Sequence, residues 1–237
     1  MTDKIPVFDI SDTLLPTKKE INKTIKRKLN QQGVRDVPEF PIDEHNVHRP
    51  EEIQEWLDSN DLESDAEKLT LAYQGSARRF IQRKKIVDTM RELGKSHGPI
   101  GFITNGSLEE KEFYKAIFDV DEDEDEEDQM EEVLYEGFVV AEVPSDDESE
   151  DEEERNVEVP EESEFERFLE MRDEPAEKFV YFSNDADRGR EAMEAGMSFV
   201  WVKRYDTFDT EYDGESMGAI SAGAVEKKLK KVSGSDE

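Results

Sequence analysis

Four short apolar runs constrain this chain more than any other feature. They occupy residues 4–9, 99–104, 178–182 and 198–202, and a stretch with helical periodicity follows each of the first three. Short apolar runs bounded by turn residues suit strands buried on both faces. Their alternation with helices suits parallel pairing, because each parallel crossover needs a helix to carry the chain back. The expected fold is α/β, a doubly wound parallel sheet. Residues 136–141 add a candidate short strand.

The intervening segments read as helices. Ile21, Ile25 and Leu29 recur every four residues among Lys18, Lys19, Lys23, Lys26, Arg27 and Lys28. This pattern describes an amphipathic helix with a basic, solvated face that can also guide an anion. Thr17 and Glu20 have capping-box spacing, and Gly33 is the expected stop. Residues 34–50 are irregular, broken by Pro38, Pro41 and Pro50. His45 and His48 lie there without a clear third ligand, so they read as loop polarity rather than as a metal site. Ile53, Trp56 and Leu57 mark a short helix over 51–58. Residues 64–81 give another, with Ala66, Leu69, Ala72 and Tyr73 on one side and Gly75 as a bend or break. Residues 15–83 therefore form a mostly helical block. Residues 84–94 carry a helical stripe of Ile86, Val87, Met90 and Leu93 that ends at Gly94. Helix is also expected from Leu108, around Phe165–Met171, before Gly196, and weakly over 222–231.

Composition narrows the chemistry. Among 237 residues there is no cysteine and there are three histidines, so disulfides, thiol nucleophiles and thiolate metal sites are excluded. The formal net charge is −32, which argues against nucleic acid as a partner. No signal core or long apolar segment is present, so the expectation is a soluble cytoplasmic protein with no membrane partner. The acidity is concentrated: residues 119–163 hold 24 Asp or Glu and one Arg, a local charge of −23, leaving −9 for the rest. Such an acidic protein suits a salt-rich, halophilic cytoplasm, and an acidic interaction insert is the other reading. A calcium loop starting at Asp119 fails, because Glu124 stands where Gly is needed and Met130 where Glu is needed.

The strand ends carry the candidate chemistry. The first run stops at Asp9, with Ser11, Asp12 and Thr13 behind it. The second stops at Thr104-Asn105-Gly106, and the third is followed by Ser183-Asn184-Asp185-Ala186-Asp187. In an open parallel sheet these ends converge on one edge, where ligands bind. Carboxylate oxygens suit Mg2+, and a hydroxyl with amides before a helix N-terminus suits a phosphoryl group.

Taken together and in order, these stretches resemble the haloacid dehalogenase (HAD) superfamily, in the branch with a helical cap inserted after the first motif. Phe8-Asp9-Ile10-Ser11-Asp12-Thr13-Leu14 is similar to the first motif and Phe102-Ile103-Thr104-Asn105-Gly106 to the second. Residues 179–187, continued to Ala195-Gly196-Met197, are similar to the fourth. The resemblance implies a HAD-like Rossmannoid core over 1–14 and 84–237, an acidic insert near 119–163, and a small helical cap over 15–83. It implies an Mg2+-dependent phosphatase acting on a small phosphorylated metabolite through an aspartyl phosphate. In that reading Asp9 is the nucleophile, and Thr104 with the amide of Asn105 binds the phosphoryl oxygens. Mg2+ is held by Asp9, the backbone carbonyl of Ser11, and Asp185 or Asp187.

Three positions depart from the family pattern. Ser11 stands where the family carries its proton-transferring Asp, and a serine hydroxyl is a poor acid near neutrality. Val159-Pro160 falls where the third motif carries Lys, with Lys178, Arg78 and Arg79 as other available cations. The fourth motif lacks its usual Gly-Asp start. These departures give the alternative function, a catalytically weakened HAD-like protein that binds a ligand or a partner. A dehalogenase would use Asp9 too, but Thr104 and the fourth-motif acids suit phosphate and metal at least as well.

Overall fold

A computed structural model describes residues 3–42, 46–104, 113–114, 116–117, 138–140, 163–172, 174–203 and 212–234. The expected α/β class is what these residues form. Six strands make one sheet: β1 (Ile5–Phe8), β2 (Gly101–Thr104), β3 (Phe138–Val140), β4 (Phe179–Ser183), β5 (Ser198–Val202) and β6 (Ser216–Met217). Their order is β3-β2-β1-β4-β5-β6, and every neighbouring pair is parallel. The chain builds outward from β1 in one direction, then returns to β1's other side with β4. The order therefore reverses between β1 and β4, where an open α/β sheet leaves a crevice beyond the carboxyl ends of its strands.

The strands read as continuous apolar runs because both faces are covered. Side chains alternate across a strand. Phe8, Phe102, Val180, Phe182 and Val200 enter one buried cluster; Ile5, Val7, Ile103, Phe179, Tyr181 and Phe199 enter another. The first face is covered by α4 (Ile86–His97) and by Val225 and Leu229 of α7 (Ala222–Val232). The second is covered by Phe165 and Phe168 of α5 (Glu164–Met171) and Ala192 of α6 (Ala186–Glu194). A Cβ on Gly189 of α6 would lie 2.2 Å from the Phe199 ring, so that helix rests on β5 only because glycine stands there.

Between β1 and α4 lie three helices: α1 (Thr17–Gln31), α2 (Pro50–Ser59) and α3 (Ala66–Arg83). Both α1 and α2 pack against α3. The four-residue row of α1 is buried as its spacing demands, and its apolar residues join the same cluster as the first sheet face. Each such side chain contributes about 1.5–3 kcal/mol of burial.

Four local expectations need correction. Thr17 does not cap α1: Pro16 holds the cap position with no side-chain bond, and Glu20 turns inward to Lys23 and Ser76 instead of back along the chain. Gly75 does not break α3, which runs continuously to Arg83. One helical glycine costs about 1 kcal/mol, less than the burial of Tyr73, Phe80 and Ile81 on either side supplies. Gly94 lies inside α4, which runs to His97 and stops at Gly98, whose φ of 80° is the glycine-favouring one. His48 is buried against Tyr73, Phe113 and Tyr114 rather than in a polar loop, and His45 lies outside the described residues. Most of the acidic region, 119–163, also lies outside them. No helix among the described residues is long and apolar enough to cross a membrane.

Candidate active site at the reversal point

Parallel pairing carries Asp9 and Ser183 to the same edge. Phe8 is level with Phe182, and the Asp9 N–H donates to the Phe182 carbonyl at 3.0 Å. After Asp9 the chain turns sharply. The Ile10 carbonyl accepts from the N–H groups of Thr13, Leu14 and Leu15, and Asp12 takes φ 55°, a left-handed conformation that Asp tolerates better than most residues. This turn folds Thr13 back beside Asp9.

Asp9 is 3% exposed and held from three sides. Its Oδ1 accepts from the Ile10 N–H at 2.8 Å. Its Oδ2 accepts from Ser183 Oγ at 3.0 Å and faces Thr13 Oγ1 at 3.1 Å. Thr13 is fully buried and also lies 3.0 Å from Asn184 Oδ1, so its single proton serves one of two oxygens; its own oxygen accepts from the Asn184 N–H at 2.9 Å. Trp201 on β5 fixes the far side of this turn by donating from Nε1 to the Asn184 carbonyl at 2.8 Å. A carboxylate has about four acceptor directions, so these partners lock its rotamer without exhausting it.

Burial pushes the Asp9 carboxyl up to about 6; the Arg188 guanidinium and the Ser183, Thr13 and Ile10 donors pull in the opposite direction and only partly offset it. Asp12 is also pushed up to about 6, chiefly by burial and further by the Asp9 charge, while the N–H groups of Lys18 and Thr17 at the start of α1 draw it down. Its carboxylate thus belongs to the N-terminal end of α1. Ser11 is half-buried between the two acids, with a parallel backbone bridge to Leu15.

The residues named from the sequence do not all converge. Thr104 ends β2 at the same sheet edge, its backbone paired with Val140; its side chain lies outside the described residues, as does all of Asn105. Asp185 is spent as the cap of α6: its Oδ1 accepts from the Asp187 N–H at 2.8 Å and the Arg188 N–H at 3.3 Å. Asp187 is exposed and paired with Arg190 one turn on. The oxygens that do meet Asp9 from β4 are Ser183 Oγ and, through Thr13, Asn184 Oδ1. Sequence reasoning passed over Ser183, Asn184 and Thr13 because an acid looks more like a ligand than its neutral neighbour. The register of β1 with β4, Phe8 level with Phe182, sets Ser183 rather than Asp185 beside the residue following β1, and strand parity could not have separated the two, which share a face.

Arg188 was missed as well. It is 8% exposed in the first turn of α6, with Nη1 on Glu164 Oε1 at 2.6 Å and Nε donating to the Tyr181 hydroxyl at 3.3 Å. Its charge reaches Asp9 electrostatically, and its buried Nη2 has no hydrogen-bond partner among the described residues. Of the cations considered from sequence, Lys178 precedes β4, at the opposite end of that strand, and Arg78 and Arg79 lie on α3, both exposed.

No three His, Asp or Glu side chains among the described residues gather as a metal cluster. The donors at the β1–β4 edge are nonetheless all oxygens, and one of them belongs to Asp9, an acid that burial drives toward protonation. That combination fits a hard cation such as Mg2+, with Asp9 as its one firmly placed carboxylate.

No family model and no curated protein matches the chain. Among solved structures it is similar to CbbY from Rhodobacter sphaeroides in complex with phosphate, at 15% identity and TM-score 0.50 over 92% of this chain and 94% of that one. YfnB from Bacillus subtilis, bound to magnesium, gives 10% identity and TM-score 0.51 over 96% and 98%. A HAD hydrolase (family IA, variant 3) from Entamoeba histolytica gives 10% identity and TM-score 0.50 over 97% and 99%. At such identities the likeness is one of fold.

Proposed function

We propose that this chain, whose fold is that of the haloacid dehalogenase hydrolases, is a phosphatase of small phosphorylated metabolites with Asp9 as its nucleophile. The observation that carries the reading is the setting of Asp9: a buried carboxylate at the reversal point of the sheet, locked in one orientation by Ile10, Thr13 and Ser183. With its ordinary value moved up to about 6, Asp9 is ionised at neutral pH and more basic than a solvated carboxylate. An Asp9 oxygen attacks phosphorus, the bond to the leaving oxygen breaks, and an aspartyl phosphate forms that water then hydrolyses. The hydroxyl of Thr104, at the end of β2, and the amide of Asn105 bind the phosphoryl oxygens. The α1–α3 helices act as the cap that excludes water. Mg2+, when bound, would offset the charge of the transferred group. Asp9 and the Ser11 carbonyl would hold it, joined by Asn184 Oδ1 or by Asp185 if that side chain leaves its cap.

Ser11 limits the rate. It stands two residues after Asp9, where the family resemblance expects the acid that protonates the leaving oxygen, and the loss of such an acid costs about 10²–10⁴ in rate. Substrates with good leaving groups, such as acyl phosphates, are therefore favoured. The second reading, a weakened protein that binds a ligand or partner, draws support from the same residues: Asp185 is occupied as a cap and Asp187 is paired in solvent.

The test is phosphate release from acetyl phosphate and from p-nitrophenyl phosphate, with Mg2+ and high KCl, against Asp9→Asn. Release that disappears in Asp9→Asn supports the hydrolase, and Ser11→Asp then raises turnover on the poorer leaving group by about tenfold or more. Release no greater than that of Asp9→Asn on either substrate rejects the hydrolase in favour of the binding reading.

A further inference from the structure

Residues of α1 and α3 line a groove of about 460 Å³ that does not include Asp9. Its floor is anchored by Glu20, 6% exposed, whose Oε1 pairs with Lys23 at 3.0 Å and whose Oε2 accepts from Ser76 Oγ at 3.1 Å. From that anchor each helix presents side chains at the same spacing: Glu20, Lys23 and Arg27 on α1, and Ser76, Arg79 and Arg83 on α3. Residues three and seven apart share a helix face. Both rows line the groove that the Glu20–Ser76 contact anchors.

The charge in this groove is unbalanced. Lys23, Arg27, Arg79 and Arg83 against Glu20 leave +3. Glu20 is already committed to Lys23 and Ser76, and no ion pair joins Arg27, Arg79 or Arg83 to an acid among the described residues. Arg27, Arg79 and Arg83 are exposed residues lining one groove, and like charges sharing a groove favour a multivalent anion. Guanidinium forks bind phosphate oxygens two at a time. The lining is mostly polar, with one buried ring, Phe80, under Arg83, so the groove suits a highly charged ligand better than an apolar one.

We propose that the α1–α3 groove is a binding site for a compact polyphosphorylated anion, a pyrophosphate or the phosphate tail of a nucleoside triphosphate, separate from the Asp9 edge and independent of its chemistry. Arg27, Arg79 and Arg83 grip the phosphates, and Glu20 positions Lys23 and Ser76 at the groove's inner end.

Isothermal titration of inorganic pyrophosphate into the full chain at low ionic strength tests this, without added Mg2+. The expected result is saturable binding that weakens by about tenfold or more in Arg79→Ala/Arg83→Ala and again in Arg27→Gln on the opposite helix. It should be unchanged in Lys19→Ala, which lies on α1 outside the groove, and retained in Asp9→Asn. Adenosine triphosphate should compete with pyrophosphate, and orthophosphate should do so only weakly. The proposal is overturned if pyrophosphate gives no saturable binding. It is equally overturned if Lys19→Ala loses as much as the groove variants, if Asp9→Asn abolishes the binding, or if single-stranded RNA displaces pyrophosphate at lower phosphate concentration than triphosphate does. Circular dichroism of each variant confirms that folding is not the variable.

Discussion

Arg188 and Asp9 are among the charged residues whose burial has to be compensated. Arg188 is closed in by Glu164, the Tyr181 hydroxyl and the face of Phe165, 5.5 Å away. Removing one member of a buried ion pair strands the other, so Arg188→Met should cost about 3–5 kcal/mol in chemical denaturation. Glu164→Gln, which keeps an acceptor for Nη1, should cost less. Asp9 works in the opposite sense. Its native carboxyl titrates near 6, its unfolded one near 3.8. Between those values the native state holds a proton that the unfolded state has released, so stability falls as pH rises through the window and stays lowered above it. Asp9→Asn escapes that loss, and the Thr13 and Ser183 hydroxyls can rotate to accept from its amide. In EDTA the variant should match the wild type below about pH 4 and exceed it at neutral pH by on the order of 3 kcal/mol. A gap that does not change with pH would show that the Asp9 carboxyl is not raised.

At the scale of elements, α6 shows how a helix competes with a site for the same acid. Asp185 satisfies two N–H groups at the start of that helix, and Ser163 closes a full capping box with Glu166 at the start of α5. Both helices cover the second sheet face and hold Arg188 between them. Asp185→Ala should therefore lower the melting temperature by the equivalent of about 1 kcal/mol, while Asp187→Ala should be near neutral. Running both variants with and without Mg2+ separates the roles, since an acid that also holds the cation loses Mg2+-dependent stabilisation as well. Equal effects of the two substitutions would contradict the capping geometry.

For the whole molecule, charge matters most. A net charge of −32 repels itself at low ionic strength, and the Debye length falls from about 10 Å at 0.1 M salt to about 3 Å at 1 M. The melting temperature should rise steadily as KCl is raised to about 2 M, well beyond the salt at which a near-neutral protein levels off. Melting that is insensitive to KCl would mean that the acidic residues do not strain the fold, and would remove the case for a salt-rich setting.

The sheet was legible in the sequence because a strand buried on both faces has no choice but to be apolar, and parallel connection has no choice but to alternate strand with helix. Asp9 was legible for a related reason: a carboxylate directly after such a strand falls on the ligand-binding edge whatever the rest of the chain does. Helix ends were less so. Thr17, Gly75 and Gly94 each carry a local preference of about 1 kcal/mol or less, and packing against α3, the sheet and α7 overrides it. The partners of Asp9 were decided only in three dimensions. Ser183 and Thr13 are 174 and 4 residues from it in sequence, and only the register of β1 with β4 and the left-handed turn at Asp12 bring their hydroxyls to one carboxylate. The same holds for Arg188 and for the paired rows of the α1–α3 groove. Sequence sets which side chains each element presents, but which elements stand side by side is settled by burying both sheet faces at once.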